Sequence, residues 1–100
     1  MRVIFTPLAE RQIGGLHAYI TELSGERRAD AYVARITAFC SRLATFPMRS
    51  RQRDDLLPGL RTTGFERRVT IAYVVTVEAV LIEGIFYRGQ DFETVFPGRG

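Results

Sequence analysis

The sequence predicts a small two-layer α+β domain, with a helical hairpin in its first half and an antiparallel β-sheet in its second. Three observations predict it. Apolar residues recur at helical spacing from Ala9 to Phe46, the pattern switches to alternation from Arg67 onward, and no low-complexity linker separates the halves. One hundred residues is about one domain's worth of chain, so residues 1–100 are read as a single domain with one shared core.

The chain opens with a short β-like segment, Arg2 to Phe5, placing Val3 and Phe5 on one face and Ile4 on the other. Thr6-Pro7 then supplies an N-cap followed by proline at the first helical position, where a missing N–H is harmless. Ala9, Ile13, Leu16, Ile20 and Leu23 form one apolar stripe of the helix that follows. Gly14-Gly15 weakens this helix by about 1 kcal/mol per glycine relative to alanine, and the pair suggests close packing there. Ser24-Gly25 breaks the pattern. A second stripe, Tyr32, Ile36, Phe39, Leu43 and Phe46, runs to Pro47, which ends it. So short a connection makes the two helices antiparallel.

Met48 to Gly59 reads as the longest loop, with Arg49, Arg51 and Arg53 alternating ahead of Asp54-Asp55 and a Pro58-Gly59 turn. Leu60 to Phe65 is a short strand. From Arg67 to Val77, Val69, Ile71, Tyr73, Val75 and Val77 share one face, and Glu78-Ala79 turns into a strand from Val80 to Tyr87. Arg88-Gly89-Gln90-Asp91 ends that strand, and the last residues add a brief edge strand or stay loose.

Composition narrows the function classes. No apolar run approaches the ~18 residues needed to cross a bilayer, and the stretch from Met1 to Pro7 lacks the apolar core of a secretory signal, so cytoplasmic residence is expected. A single cysteine, Cys40, rules out an intramolecular disulfide or a Cys-based zinc site and reads as a small core residue. All fourteen basic residues are arginine, and the net charge is +3. The basic groups are therefore forked, permanently charged donors suited to carboxylates and phosphates, with no lysine for Schiff-base chemistry.

The catalytic inventory is sparse. There is no phosphate-binding glycine loop, no HExxH pair and no nucleophile-elbow serine. The lone His17 flanks a helix stripe and reads as a packing or surface residue; Asp54-Asp55 reads as a solvated ion-pair cluster, and nothing makes Glu66 and Glu83 converge. No metal site, cofactor or catalytic residue is assigned. What remains is Arg61, Arg67, Arg68 and Arg88 on or beside consecutive strands, with Tyr73 and Tyr87 nearby. Such a face can hold RNA phosphates and stack on bases. It can equally pair with the acidic side of a peptide, or be a solvated face whose arginine stems cover apolar surface.

Element order and residues together resemble the ParE toxins of the RelE/ParE superfamily, from bacterial type II toxin–antitoxin systems, nearly end to end. The resemblance rests on the opening strand into Thr6-Pro7-Leu8-Ala9-Glu10, the helix ending Leu43 to Pro47, and the Leu57-Pro58-Gly59-Leu60-Arg61 lead into the sheet. Ile71-Ala72-Tyr73-Val74-Val75 and the closing strand from Ile82 to Asp91 complete it, with Tyr87 where many ParE sequences carry histidine. It implies a helical hairpin on a curved antiparallel sheet, and a plasmid-stabilisation type of toxin that inhibits DNA gyrase and is neutralised by a ParD-type antitoxin. It further implies that the toxin acts by binding, through Arg61, Arg67, Arg68, Tyr87 and Arg88, with no membrane involved and nucleic acid reached only through the antitoxin. The alternative is a RelE-like, ribosome-dependent mRNA endonuclease using Arg61, Arg68, Tyr73, Tyr87 and Arg88. That branch has basic residues and a tyrosine near the carboxyl end, where this chain has Asp91, Glu93 and Phe96, so the ParE reading is favoured.

Overall fold

The computed structural model describes residues 1–47, 50–88, 93, 95 and 96. In chain order the elements are β1 (Arg2–Phe5), α1 (Pro7–Ser24), α2 (Glu26–Arg42), β2 (Arg51–Gln52), β3 (Leu60–Phe65), β4 (Val69–Val75) and β5 (Ala79–Tyr87). The strands form one sheet in the order β1-β5-β4-β3-β2. Pairing is antiparallel from β2 through β5, and β1 runs parallel to β5, with Arg2 opposite Ala79 and Phe5 opposite Ile82. The sheet is therefore mixed at one edge. A strand followed at once by a helical hairpin has no tight turn with which to pair antiparallel.

The Thr6 side chain accepts from the Ala9 N–H at 3.2 Å and starts α1 as expected. One residue, Gly25, joins the helices at φ 94°, a conformation that other residues rarely adopt. Helix α2 ends at Arg42, before Pro47, because Leu43, Ala44 and Thr45 donate to the carbonyls three residues back and tighten the chain into a turn. That shortening leaves Phe46, expected in the stripe, exposed; Leu23 at the far end of α1 is exposed likewise. The loop expected from Met48 to Gly59 carries the two-residue strand β2, while Met48 and Arg49 lie outside the described residues. β4 is shorter than the alternation from Arg67 to Val77 suggests. Arg67 belongs to the preceding turn, and Val77 stands in the next one, 97 % exposed.

Both faces of the sheet are covered. On one, Leu16 of α1, Ile36 and Cys40 at the inner side of α2, and Leu43 just past its end pack on Val69, Ile71, Tyr73, Val80, Ile82 and Ile85. On the other, Leu56 and Phe96 close over Leu60, Ala72 and Phe86. Cys40 is fully buried, and burial pushes its thiol up to about 12, which makes it an inert core residue.

The glycine pair does not mark close packing. Among the described residues, a Cβ built on Gly14 or Gly15 meets nothing within 4 Å. Gly14→Ala is accordingly expected to raise stability by about 0.5–1 kcal/mol. A thermal midpoint that falls instead would show that the Gly14 backbone packs against a partner.

Candidate functional site

The site lies where the helical hairpin meets the ends of β4 and β5, and a bulge in β5 places its central side chain. Ala72 pairs with Gly84 and Tyr73 with Ile82, so Glu83 is left without an opposite residue. The extra residue resets the alternation. Ile85 and Tyr87 turn toward the helices, while Phe86 joins the opposite core. The bulge is braced from α1, where the Gln12 side-chain carbonyl accepts the Ile85 N–H at 2.6 Å. Partial burial raises the Glu83 carboxyl above its ordinary range.

The turn between β3 and β4 supplies the next groups. Glu66 and Arg67 both hold left-handed φ, 49° and 61°, and Arg68 N–H closes the turn on the Phe65 carbonyl, which is a type I′ hairpin. Side chains other than Gly or Asn are strained there by ~1–2 kcal/mol each. Glu66 has a compensating contact: Arg35 of α2 grips its carboxylate with two parallel bonds of 2.9 and 3.1 Å. That grip holds Glu66 below the usual carboxylate range and raises Arg35 in turn.

Arg28, Tyr32 and Arg35 come from one edge of α2 and complete an open cleft of about 480 Å³ with Arg68, Tyr87 and Arg88. Arg88 follows β5 in a left-handed conformation, φ 56°, and its N–H donates to the Arg68 carbonyl at 2.5 Å. The Arg88 guanidinium, and with it that of Arg68, hydrogen-bonds the Tyr87 phenol and holds it below its ordinary range. Tyr32 is the counterpart. Desolvation raises its phenol, and its buried oxygen has no hydrogen-bond partner among the described residues. A second, apolar groove of about 400 Å³ adjoins through Tyr87, lined also by Gly15, Leu16, Tyr19 and Ile85.

This constellation can bind anions, and among the described residues its one carboxylate, Glu66, is already held by Arg35. Among the described residues no group of three or more His, Cys, Asp or Glu side chains could hold a metal, and no helix is long and apolar enough to cross a membrane.

Residues 3–92 match the model for the ParE toxin of the type II toxin–antitoxin system parDE. The chain belongs to the ParE toxin family. Among solved structures, a chain of a chromosomal ParDE system from P. aeruginosa is similar at a TM-score of 0.76 and 21% identity, covering 88% of this chain and 96% of that one. No curated protein sequence matches.

Of the residues singled out in this ParE-family sequence, Arg68, Tyr87 and Arg88 come together in the cleft. Arg67 stands exposed at the hairpin turn. Arg61 and Tyr73 lie elsewhere, side by side on paired strands, with Arg61 donating to the Ser50 carbonyl at 3.2 Å. Tyr73 corrects the expectation of a phenol near a ligand. It is fully buried, donates to the Pro47 carbonyl at 2.7 Å, and meets the Ser50 hydroxyl. It ties the segment after α2 to the middle of the sheet. Tyr73→Phe is expected to cost about 1–3 kcal/mol, because the Pro47 carbonyl and Ser50 hydroxyl lose their partner. Urea denaturation with an unchanged midpoint would show that the phenol does not brace that segment.

Arg28, Tyr32 and Arg35 were not among the sequence candidates. Their spacing of four and three residues, which puts guanidinium, phenol and guanidinium on one helix edge, is the signal that could have found them. Outside the cleft, His17 pairs with Asp30 across the hairpin at 2.6 Å, a contact between exposed groups. Asp54 differs from Asp55: it caps the turn by accepting the Gly59 N–H at 2.8 Å, while Asp55 pairs with Arg53. Near the carboxyl end, Glu93 pairs with Arg53 at 2.6 Å and Phe96 packs on Phe86, whereas residues 89–92 and 94, Asp91 included, lie outside the described residues.

Proposed function

We propose that this ParE-family toxin acts by binding rather than by bond cleavage, with DNA gyrase as its target and a ParD-type antitoxin as its neutralising partner. The observation that carries this reading is the chemistry of the cleft. Arg28, Arg68 and Arg88 converge with two tyrosines, while Glu66 is held in both bonds of the Arg35 fork. The lone histidine pairs with Asp30 elsewhere. Guanidiniums do not give up protons near neutrality, so the cleft binds anions readily and transfers protons poorly. Arg68, Tyr87 and Arg88 would be the partner-binding core, with Arg67 at the neighbouring hairpin turn and Arg61 contacting a partner only where it extends along the sheet beyond the cleft, and no cofactor takes part. An antitoxin segment with acidic residues around apolar anchors would fit the guanidiniums and the adjoining groove.

The second reading, a ribosome-dependent ribonuclease, draws on one specific observation: Tyr87 is lowered by hydrogen bonds from Arg88 and Arg68. One experiment separates the two. Purified toxin is expected to block supercoiling by gyrase and to leave mRNA on translating ribosomes intact. Tyr87→Phe should remain toxic on induction in cells, because a poison that binds needs no phenolic proton, whereas losing a general acid or base costs ~10²–10⁴-fold in rate. Folded but harmless Tyr87→Phe, with mRNA cleavage abolished alongside, would overturn the gyrase reading.

A further inference from the structure

We propose that the cleft is a binding site for a phosphomonoester, with a nucleoside monophosphate as the class of ligand it takes. The donor set is the first reason. Among the described residues, Arg28, Arg35, Arg68 and Arg88 face a single carboxylate, Glu66, which Arg35 already holds with two of its nitrogens. Arg28, Arg68 and Arg88 make no ion pair among the described residues. A single carboxylate ligand would neutralise one of these charges. A phosphomonoester brings −1.5 to −2 at neutral pH and three strong acceptor oxygens for forked donors.

Preorganisation is the second reason. The Arg88 N–H to Arg68 carbonyl bond fixes the two backbones together, the Arg88 guanidinium lies 5.5 Å from the centre of the Tyr87 ring, and Arg68 lines the same cleft. Two like charges held in one cleft gain from an anion placed between them. Tyr32 adds a donor whose oxygen is buried and, among the described residues, unpartnered, on the lining of the same cleft. A buried hydroxyl left unsatisfied is costly, and an entering anion oxygen would satisfy it.

The third reason is the apolar groove next door. Tyr87 lines both cavities, and its ring meets Tyr19 edge-on at 5.8 Å. Gly15, with open space where a Cβ would stand, leaves room for a flat ring beside Leu16 and Ile85. Phosphate on the guanidiniums and base against the tyrosines would use both subsites at once.

The test needs neither antitoxin nor gyrase, so its outcome is separate from that of the toxin reading. Binding of AMP, inorganic phosphate and adenosine to the purified full chain is followed by ³¹P NMR and calorimetry. AMP is expected to saturate, to bind more tightly than inorganic phosphate, and to outbind adenosine. Arg68→Ala and Arg88→Ala should each weaken it about tenfold or more, and Tyr32→Phe about threefold. Arg42→Ala, on α2 but over the Phe39 ring, should leave it unchanged. Arg68→Lys and Arg88→Lys keep the charge without the fork and should also weaken binding, which preserves the test if the alanine variants do not fold. No saturable AMP binding, equal loss in Arg42→Ala, or full affinity in both lysine variants would overturn the proposal. Inorganic phosphate binding as tightly as AMP would overturn the nucleotide assignment. A glutamate-rich peptide held by Arg68 and Arg88 in a cleft that rejects AMP would hand the site to a carboxylate partner.

Discussion

Ile36→Ala is expected to remove about 2–5 kcal/mol of folding free energy, a large share of the ~5–15 kcal/mol that holds a small domain together. Ile36 is fully buried on α2 and belongs to the cluster that joins both helices to the middle of the sheet. Leu16, Val69, Ile71 and Tyr73 of the same cluster are buried too, so the site belongs to the packed interior rather than a flexible rim and little collapse into the cavity is available. Phe39→Ala provides the comparison. Its ring is half-buried, touching Phe65 edge-on at 5.3 Å with the Arg42 guanidinium over it, and its removal should cost less than its size suggests. Thermal unfolding followed by far-ultraviolet circular dichroism checks the ranking, at ~4–8 °C per kcal/mol for a chain of this length. If Phe39→Ala proved the more damaging of the two, the core would be centred elsewhere than described.

Removing both cleft arginines should have the largest effect on partner binding. Arg68→Ala combined with Arg88→Ala is expected to weaken a ParD-type antitoxin about 10²-fold or more, because hydrogen bonds to charged groups contribute ~1.5–3 kcal/mol each. Wild-type association should slow as salt rises, with dissociation changing less, and the double variant should lose much of that salt dependence. Surface plasmon resonance at several salt concentrations measures both rates. Unchanged affinity and an unchanged salt slope would place the antitoxin's acidic residues on some other part of the basic surface.

Periodicity and punctuation carried most of the fold. The stripes through Leu16 and Ile36, the Thr6-Pro7 start and the alternation through Val69, Ile71 and Tyr73 are local signals, and each landed where the pattern put it. Leu23 and Phe46 continue their stripes past the point where the helices still cover the sheet, which no periodicity can show. The site was harder to read because its parts meet through distant contacts. Arg35 reaches Glu66 across 31 residues, and the bulge at Glu83 decides which way Tyr87 faces. Tyr73 shares the face of Val69 and Ile71 as the alternation places it, but its tie to Pro47 and Ser50 leaves no periodic signal, since those partners come from the helix end and the loop after it.

The parallel pairing of β1 with β5 has a consequence for synthesis. The first strand finds its neighbour only across most of the chain; Thr6 and Glu83, joined at that seam, are 77 residues apart. A nascent toxin leaving the ribosome can form its helical hairpin early, since those contacts are local, but its first strand stays unpaired until β5 emerges. Tyr87 and Arg88, at the end of β5, arrive with the same segment. The cleft therefore does not exist before β5 emerges, and a partner meets the surface only after that strand has closed the sheet.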